Sequence, residues 1–132
     1  MKIFIDTNIF LDLILKREKY QEALLIFNAI EKNIFDPSIL DITILNIDYV
    51  AKKQIKNTNA FLFIVNQLFQ VLGASNKNIE KALNIDNNDL EDNLQYICAK
   101  EARCEVIITN DKSFYSKSIV KMTSIEFVRK YL

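Results

Sequence analysis

Met1-Lys2-Ile3-Phe4-Ile5-Asp6-Thr7-Asn8 opens the chain with a short apolar run that stops at an acid and continues into two residues suited to capping a helix. Such a run, bounded by turn chemistry, reads as a buried strand over Lys2–Ile5, and Thr7-Asn8 offer oxygens to the first N–H groups of a helix reaching about Lys16. The unit is strand, acid, helix. It recurs near the other end, where the β-branched run Val106-Ile107-Ile108 leads into Thr109-Asn110-Asp111.

Working outward from these two ends, the apolar residues Ala23, Leu24, Phe27 and Ile30 recur at spacings of three and four, which predicts a helix over residues 19–32. Residues 34–39 form a strand whose Pro37 ends it or lies at an edge. A third helix over residues 42–55 places Ile44, Ile47, Ala51 and Ile55 on one face, and a fourth spans Asn59–Leu68. Residues 69–72 read as a strand, 75–83 as a helix, and 84–88 as a polar loop. A helix from Asp89 to about Ala102, a strand over residues 118–121 and a helix over 123–131 complete the chain. Strands separated by helices imply an α/β fold, a short parallel sheet flanked by helices on both faces, in one domain over residues 1–132. In such sheets the active crevice lies beyond the carboxyl ends of the strands, where Asp6 and Asp111 both stand.

Composition limits the chemistry. The 132 residues contain no His, which removes triads, the usual imidazole base and most zinc sites, and leaves carboxylates, amides, hydroxyls and lysines. The single Gly rules out a phosphate-cradling glycine loop. Two cysteines, Cys98 and Cys104, cannot make a zinc set, and Lys plus Arg balance Asp plus Glu at 17 each, so any nucleic-acid contact rests on a local patch. No apolar run approaches the roughly 20 residues of a membrane span, and no signal peptide is apparent, so a cytoplasmic location is expected.

Asp92, in the first turn of the helix that Asp89 opens, adds a third acid to Asp6 and Asp111. Each has an ordinary structural explanation: Asp6 and Asp111 as helix caps, Asp92 as the partner of Asp89 in a capping arrangement. Brought together, however, three carboxylates raise one another's pKa unless a divalent cation lies among them. Mg²⁺ or Mn²⁺ accepts carboxylate oxygen and water and can activate a water against a phosphodiester, which supplies hydrolysis without histidine.

The run from Met1 through Asp12 resembles the opening of PIN domains, where a strand delivers the first metal-binding Asp. Asp89-Leu90-Glu91-Asp92-Asn93-Leu94-Gln95 is similar to a D-x-E-D-x-L-Q helix of that family, and Thr109-Asn110-Asp111-Lys112-Ser113-Phe114 to its T-x-D-x-x-F segment. The ordered set spans nearly the whole chain and resembles the toxin ribonucleases of bacterial toxin-antitoxin pairs. The resemblance implies Asp6, Asp92 and Asp111 as holders of Mg²⁺ or Mn²⁺ and as the catalytic acids. Thr7, Asn8 and Thr109 would orient them, and Glu91 would be accessory. It further implies an RNA substrate and an antitoxin protein partner; surplus apolar bulk on the second and fourth helices, among it Leu25 and Phe63, can form a homodimer face or the groove that receives the antitoxin, and no membrane association is expected.

One position departs from the family pattern. The second acid, usually a Glu on the third helix, falls at Asn46, which can ligate through its carbonyl but carries no charge. Asp48 lies about 200° further around the helix, so both cannot face the site. Asp48 either replaces the missing acid or is a surface residue with Lys52 as its partner. The departure also supports a rival function, a PIN-like module that binds RNA or protein without cutting. Lysine clusters at 16–19, 52–56 and 112–117 can hold phosphates or simply be solvated helix ends, and no aromatic stacking platform is visible in the sequence.

Overall fold

A computed structural model describes residues 1–132. Five strands, β1 (Lys2–Ile5), β2 (Asp36–Leu40), β3 (Gln70–Leu72), β4 (Val106–Ile108) and β5 (Val120–Met122), form one sheet in the order β3-β2-β1-β4-β5, with every neighbouring pair parallel. Helices α1 (Thr7–Ile14) and α2 (Tyr20–Glu31) cross from β1 to β2, and α3 (Asp41–Ala51) and α4 (Asn59–Leu68) cross from β2 to β3. Helices α5 (Asn76–Leu83) and α6 (Leu90–Glu101) return the chain to β4, and α7 (Ser124–Tyr131) follows β5. The order of the strands reverses between β1 and β4. Loops leaving those two strands diverge to opposite sides of the sheet and leave a crevice between them.

The strand period of two divides the core. Ile3 and Ile5 of β1, Ile39 of β2 and Val106 and Ile108 of β4 join a core of 18 buried residues. Phe4, Leu40 and Ile107 point the other way into a core of eight, shared with Tyr96, Cys98 and Ala99 of α6. Burial on both faces explains why the strands read as continuous apolar runs. The larger core contains an aromatic cluster in which Phe10 meets Phe27 at 5.3 Å and Phe69 at 5.1 Å between ring centroids. It absorbs Phe27, Val65 and Phe69, whereas Leu25, Phe63 and Ile64 stay exposed.

Two expectations require correction, and one is met in an unexpected way. Helix α1 ends at Ile14 and not near Lys16, because Lys16 takes a left-handed backbone with φ 51°. Helix α3 ends at Ala51, so Ile55 does not extend its buried stripe, which consists of Thr43, Ile47 and Ala51. Pro37 lies in a strand with neighbours on both sides, but it pairs only with Ile3 of β1, since β3 begins opposite Ser38. At Pro37 the strand is still locally an edge, where a missing N–H is tolerated. The connection from β4 to β5 over residues 109–119 contains no helix. No helix is long and apolar enough to cross a membrane.

Candidate active site

Asp6 is the first residue beyond β1 and the N-cap of α1, so the strand end and the helix start fix its backbone together. Its Oδ1 accepts from the Thr7 backbone N–H at 2.8 Å and from Gln95 Nε2 at 3.4 Å, and its Oδ2 accepts from the Thr109 hydroxyl at 2.8 Å. Asp6 as a whole is 5% exposed. Burial pushes its pKa up, opposed by the bonds from Thr109, Thr7 and Gln95. Capping and site membership are therefore one geometry at Asp6: the Asp that ends the strand must turn its side chain to the helix start, and this aims it into the crevice.

Asp92 lies one turn into α6, its backbone N–H donating to Asp89 Oδ1 at 3.1 Å. The side chain is buried and its Oδ2 has no hydrogen-bond partner. Burial, followed by the charges of Asp6, Asp89 and Asp111, pushes its pKa up to about 8. Asp111 has the opposite bias. Its Oδ1 accepts from both the hydroxyl and the N–H of Ser113, at 2.7 and 2.9 Å, and these bonds hold its pKa below the usual carboxylate range. The loop is pinned further by Lys121, whose ammonium donates to the carbonyls of Lys112 and Phe114.

These acids share a cleft of about 340 Å³. Five carboxylates line it, those of Asp6, Asp89, Glu91, Asp92 and Asp111, together with Thr7, Asn8 and Asn46, and no lysine or arginine does. Glu91 is pushed up by burial and by Asp6 and Asp89, and it accepts a bond from Asn46 Nδ2 at 2.7 Å. No three of the acids stand at the spacing of a finished metal-ligand set. The donor set nevertheless suits a hard divalent cation: only oxygen donors, an excess of negative charge, and one buried carboxylate oxygen without a partner.

The structure places the residues singled out in the sequence as follows. Asp6, Thr7, Asn8, Asn46, Glu91, Asp92 and Asp111 all line the cleft, and Thr109 is bonded to Asp6 directly below it. Asp48 does not line it. Its carboxylate accepts from the Thr58 hydroxyl and stands 3.9 Å from Lys52 Nζ, so of the two candidates for the second-acid position it is Asn46 that faces the cleft. Three neighbours escaped the sequence reading. Gln95, fully buried, follows Asp92 by three residues, and that spacing on one helix face is the signal that places it beside the same cleft. Asp89 both caps α6 and lines the cleft, and Tyr49 lies at i+3 from Asn46. Asp12, although quoted in the opening motif, is turned away to Asn110, which also bonds Ser124 and so ties α1 to α7.

Comparison with known proteins agrees with this architecture. The sequence model of the PIN domain matches residues 2–113. The ribonuclease VapC1 of Aquifex aeolicus (strain VF5) is 31% identical over 138 residues, covering 98% of this chain and 95% of the relative. Among solved structures, a toxin-antitoxin complex from Klebsiella pneumoniae is similar with a TM-score of 0.72 at 21% identity, over 92% of this chain and 97% of that one. Mycobacterium tuberculosis VapC20, a sarcin-ricin loop cleaving toxin, gives 0.71 at 12% identity, over 89% and 96% of the two chains. With a family model spanning most of its length and a relative matched almost end to end, this chain belongs to the PIN domain family.

Proposed function

We propose that the protein is a Mg²⁺- or Mn²⁺-dependent endoribonuclease, the toxin component of a toxin-antitoxin pair. The observation that carries this reading is the cleft at the β1/β4 switch point, lined by five carboxylates and no cationic side chain. Kinship to a relative named as a ribonuclease supports the RNA substrate. Asp6, Asp92 and Asp111 would hold the ion, with the carbonyl of Asn46 in reach of the same cleft. Once bound, the ion supplies charge neutralisation at the phosphate and an acidified water.

The chain's own residues do the remaining work. Thr109, the Thr7 N–H and Gln95 fix both oxygens of Asp6, so its orientation is set before anything binds. The bonds from Ser113 hold the pKa of Asp111 below the usual carboxylate range and so favour its charged form. Asp92, whose pKa burial and the neighbouring acids push up to about 8, would favour its charged form only with a cation beside it.

An antitoxin partner and a homodimer belong to the same proposal, as does a cytoplasmic location. A solved toxin-antitoxin complex among the structural neighbours supports the partner. So does the exposed Phe63, which lines a hollow together with Ile44 and Leu62. Asn46 bonded to Glu91 favours the rival reading, a module that binds without cutting.

Incubating purified protein with single-stranded RNA in Mn²⁺, Mg²⁺ or EDTA tests the two. Metal-stimulated cleavage is expected; cleavage that EDTA leaves untouched, or binding without cleavage under any metal, would overturn the nuclease reading. Growth arrest on expression, rescued by the product of a neighbouring small gene, would identify the toxin role.

A further inference from the structure

The acid cleft holds no cationic side chain to receive a polyanion, so the groups that bind a nucleic-acid strand must stand on its rim. A second hollow shares Asn8 and Asp111 with the cleft, but its Arg17 and Lys19 stand among Asp12, Glu18 and Asp111, with Lys19 3.8 Å from Glu18, so it offers no free cationic rim. The rim residue that stands out is Tyr49. It lines the cleft yet is 62% exposed, and it belongs to neither core. The Lys53 ammonium lies 4.6 Å from the centre of its ring and that of Lys52 at 6.0 Å. Single exposed aromatics are common on protein surfaces. This one differs in its place, at the mouth of a polar cleft with two cations over its ring.

We propose that Tyr49, with Lys52 and Lys53, is a stacking platform for one unpaired base of the RNA strand. The strand then lies over the acids with a base stacked on Tyr49 and the adjacent phosphate near the Lys53 ammonium. The choice of RNA as the polymer rests on the nuclease reading above. An aromatic face stacks on any base, so this contact is tolerant of sequence, but it demands a base free of its duplex partner. The neighbouring ammonium groups neutralise the adjacent phosphates and make binding salt-dependent. The platform is invisible along the sequence because Tyr49 is then one tyrosine in an apolar helix; only its place beside the acids distinguishes it.

Equilibrium binding tests this without any need for catalysis. Fluorescence anisotropy would follow a labelled single-stranded oligoribonucleotide in calcium, with Mg²⁺ and Mn²⁺ excluded. The probes are the intact strand, a strand carrying abasic positions with the same phosphates, and a duplex. Tyr49→Ala is expected to weaken the intact strand roughly 5- to 100-fold and Tyr49→Phe to restore it. Abasic substitution should weaken binding to wild type but barely change binding to Tyr49→Ala, and the duplex should bind both proteins equally.

Equal affinity of wild type and Tyr49→Ala for the intact strand, an equal loss on the abasic strand, or no binding by wild type would overturn the proposal. Unchanged RNA affinity accompanied by lost self-association in sedimentation would do so too, assigning the ring to a protein contact. Tyr49-dependent binding without cleavage would sink the nuclease reading alone, and cleavage with Tyr49-independent binding would sink this inference alone.

Discussion

The Thr109 hydroxyl donates to Asp6 Oδ2 at 2.8 Å, and Thr109 Oγ1 in turn accepts from the backbone N–H of Asp111 at 3.1 Å. One side chain at the end of β4 thus links the first and last acids of the cleft, 103 residues apart in the case of Asp6. Removing the hydroxyl leaves a buried carboxylate short of a donor and frees the turn that carries Asp111. Thr109→Val is expected to weaken Mn²⁺ binding about 10- to 100-fold, and Thr109→Ser to preserve it. Isothermal titration of the two variants checks this; equal affinities would show the link to be incidental.

Charge at Asp6 and Asp111 is central to the proposed chemistry. Asp6→Asn and Asp111→Asn should each reduce Mn²⁺-stimulated cleavage of single-stranded RNA by at least about 100-fold. Far-ultraviolet circular dichroism should remain that of the wild type. Residual cleavage at the wild-type rate would remove these acids from the mechanism.

Asn46→Glu returns a carboxylate to the cleft next to Glu91, its present hydrogen-bond partner. Without metal the two like charges repel, so the melting temperature in EDTA should fall. In Mn²⁺ the added ligand should tighten binding and raise cleavage several-fold. Melting curves with and without metal read both signs, and a variant that loses stability in both conditions refutes the idea.

The pH dependence of the metal-free protein follows from Asp92. Its pKa rises from the ordinary 3.8 to about 8 on folding, because burial and three neighbouring acids disfavour its charge. Between those values the folded state binds more protons than the unfolded one, so this group's contribution to stability falls as pH rises from about 4 to about 8 and then levels off. In EDTA, Asp92→Asn should flatten the fall in melting temperature over that window. A variant and wild type with parallel pH profiles would exclude Asp92 as its source.

Cys98 and Cys104 are both buried, and burial pushes each thiol up to about 11. Thiolate is scarce at neutral pH, so both should resist a disulfide-exchange reagent in the folded protein and react fully in guanidinium. Rapid modification of either in native buffer would contradict the packing of the smaller core.

Much of the fold was legible because its determinants are local. Ile3, Phe4 and Ile5 alternate between two cores, the run Val106-Ile107-Ile108 does likewise, and each run is stopped by a residue that prefers a cap or a turn. Those preferences act over a few residues and can be read along the chain. The placement of Asp6 and of the Thr109–Asp111 turn at adjacent strand ends followed from the same pattern. The early stops of α1 and α3 were not legible, since helix ends depend on what the next residues can pack against.

The sequence by itself determined the strand-acid-helix units, the parallel layering and the acids at the strand mouths. Tertiary structure alone decided which side of α3 faces them. Asn46 and Asp48 flank the buried Ile47 at about 100° on either side, so hydrophobic periodicity treats them alike. Packing of Thr43, Ile47 and Ala51 against the rest of the molecule fixes the rotation, turning Asn46 and Tyr49 to the cleft and Asp48 to Thr58 and Lys52. The division between an ionised Asp111 and a readily protonated Asp92 has the same origin, because burial and neighbouring charge depend on groups that meet only when the chain has folded.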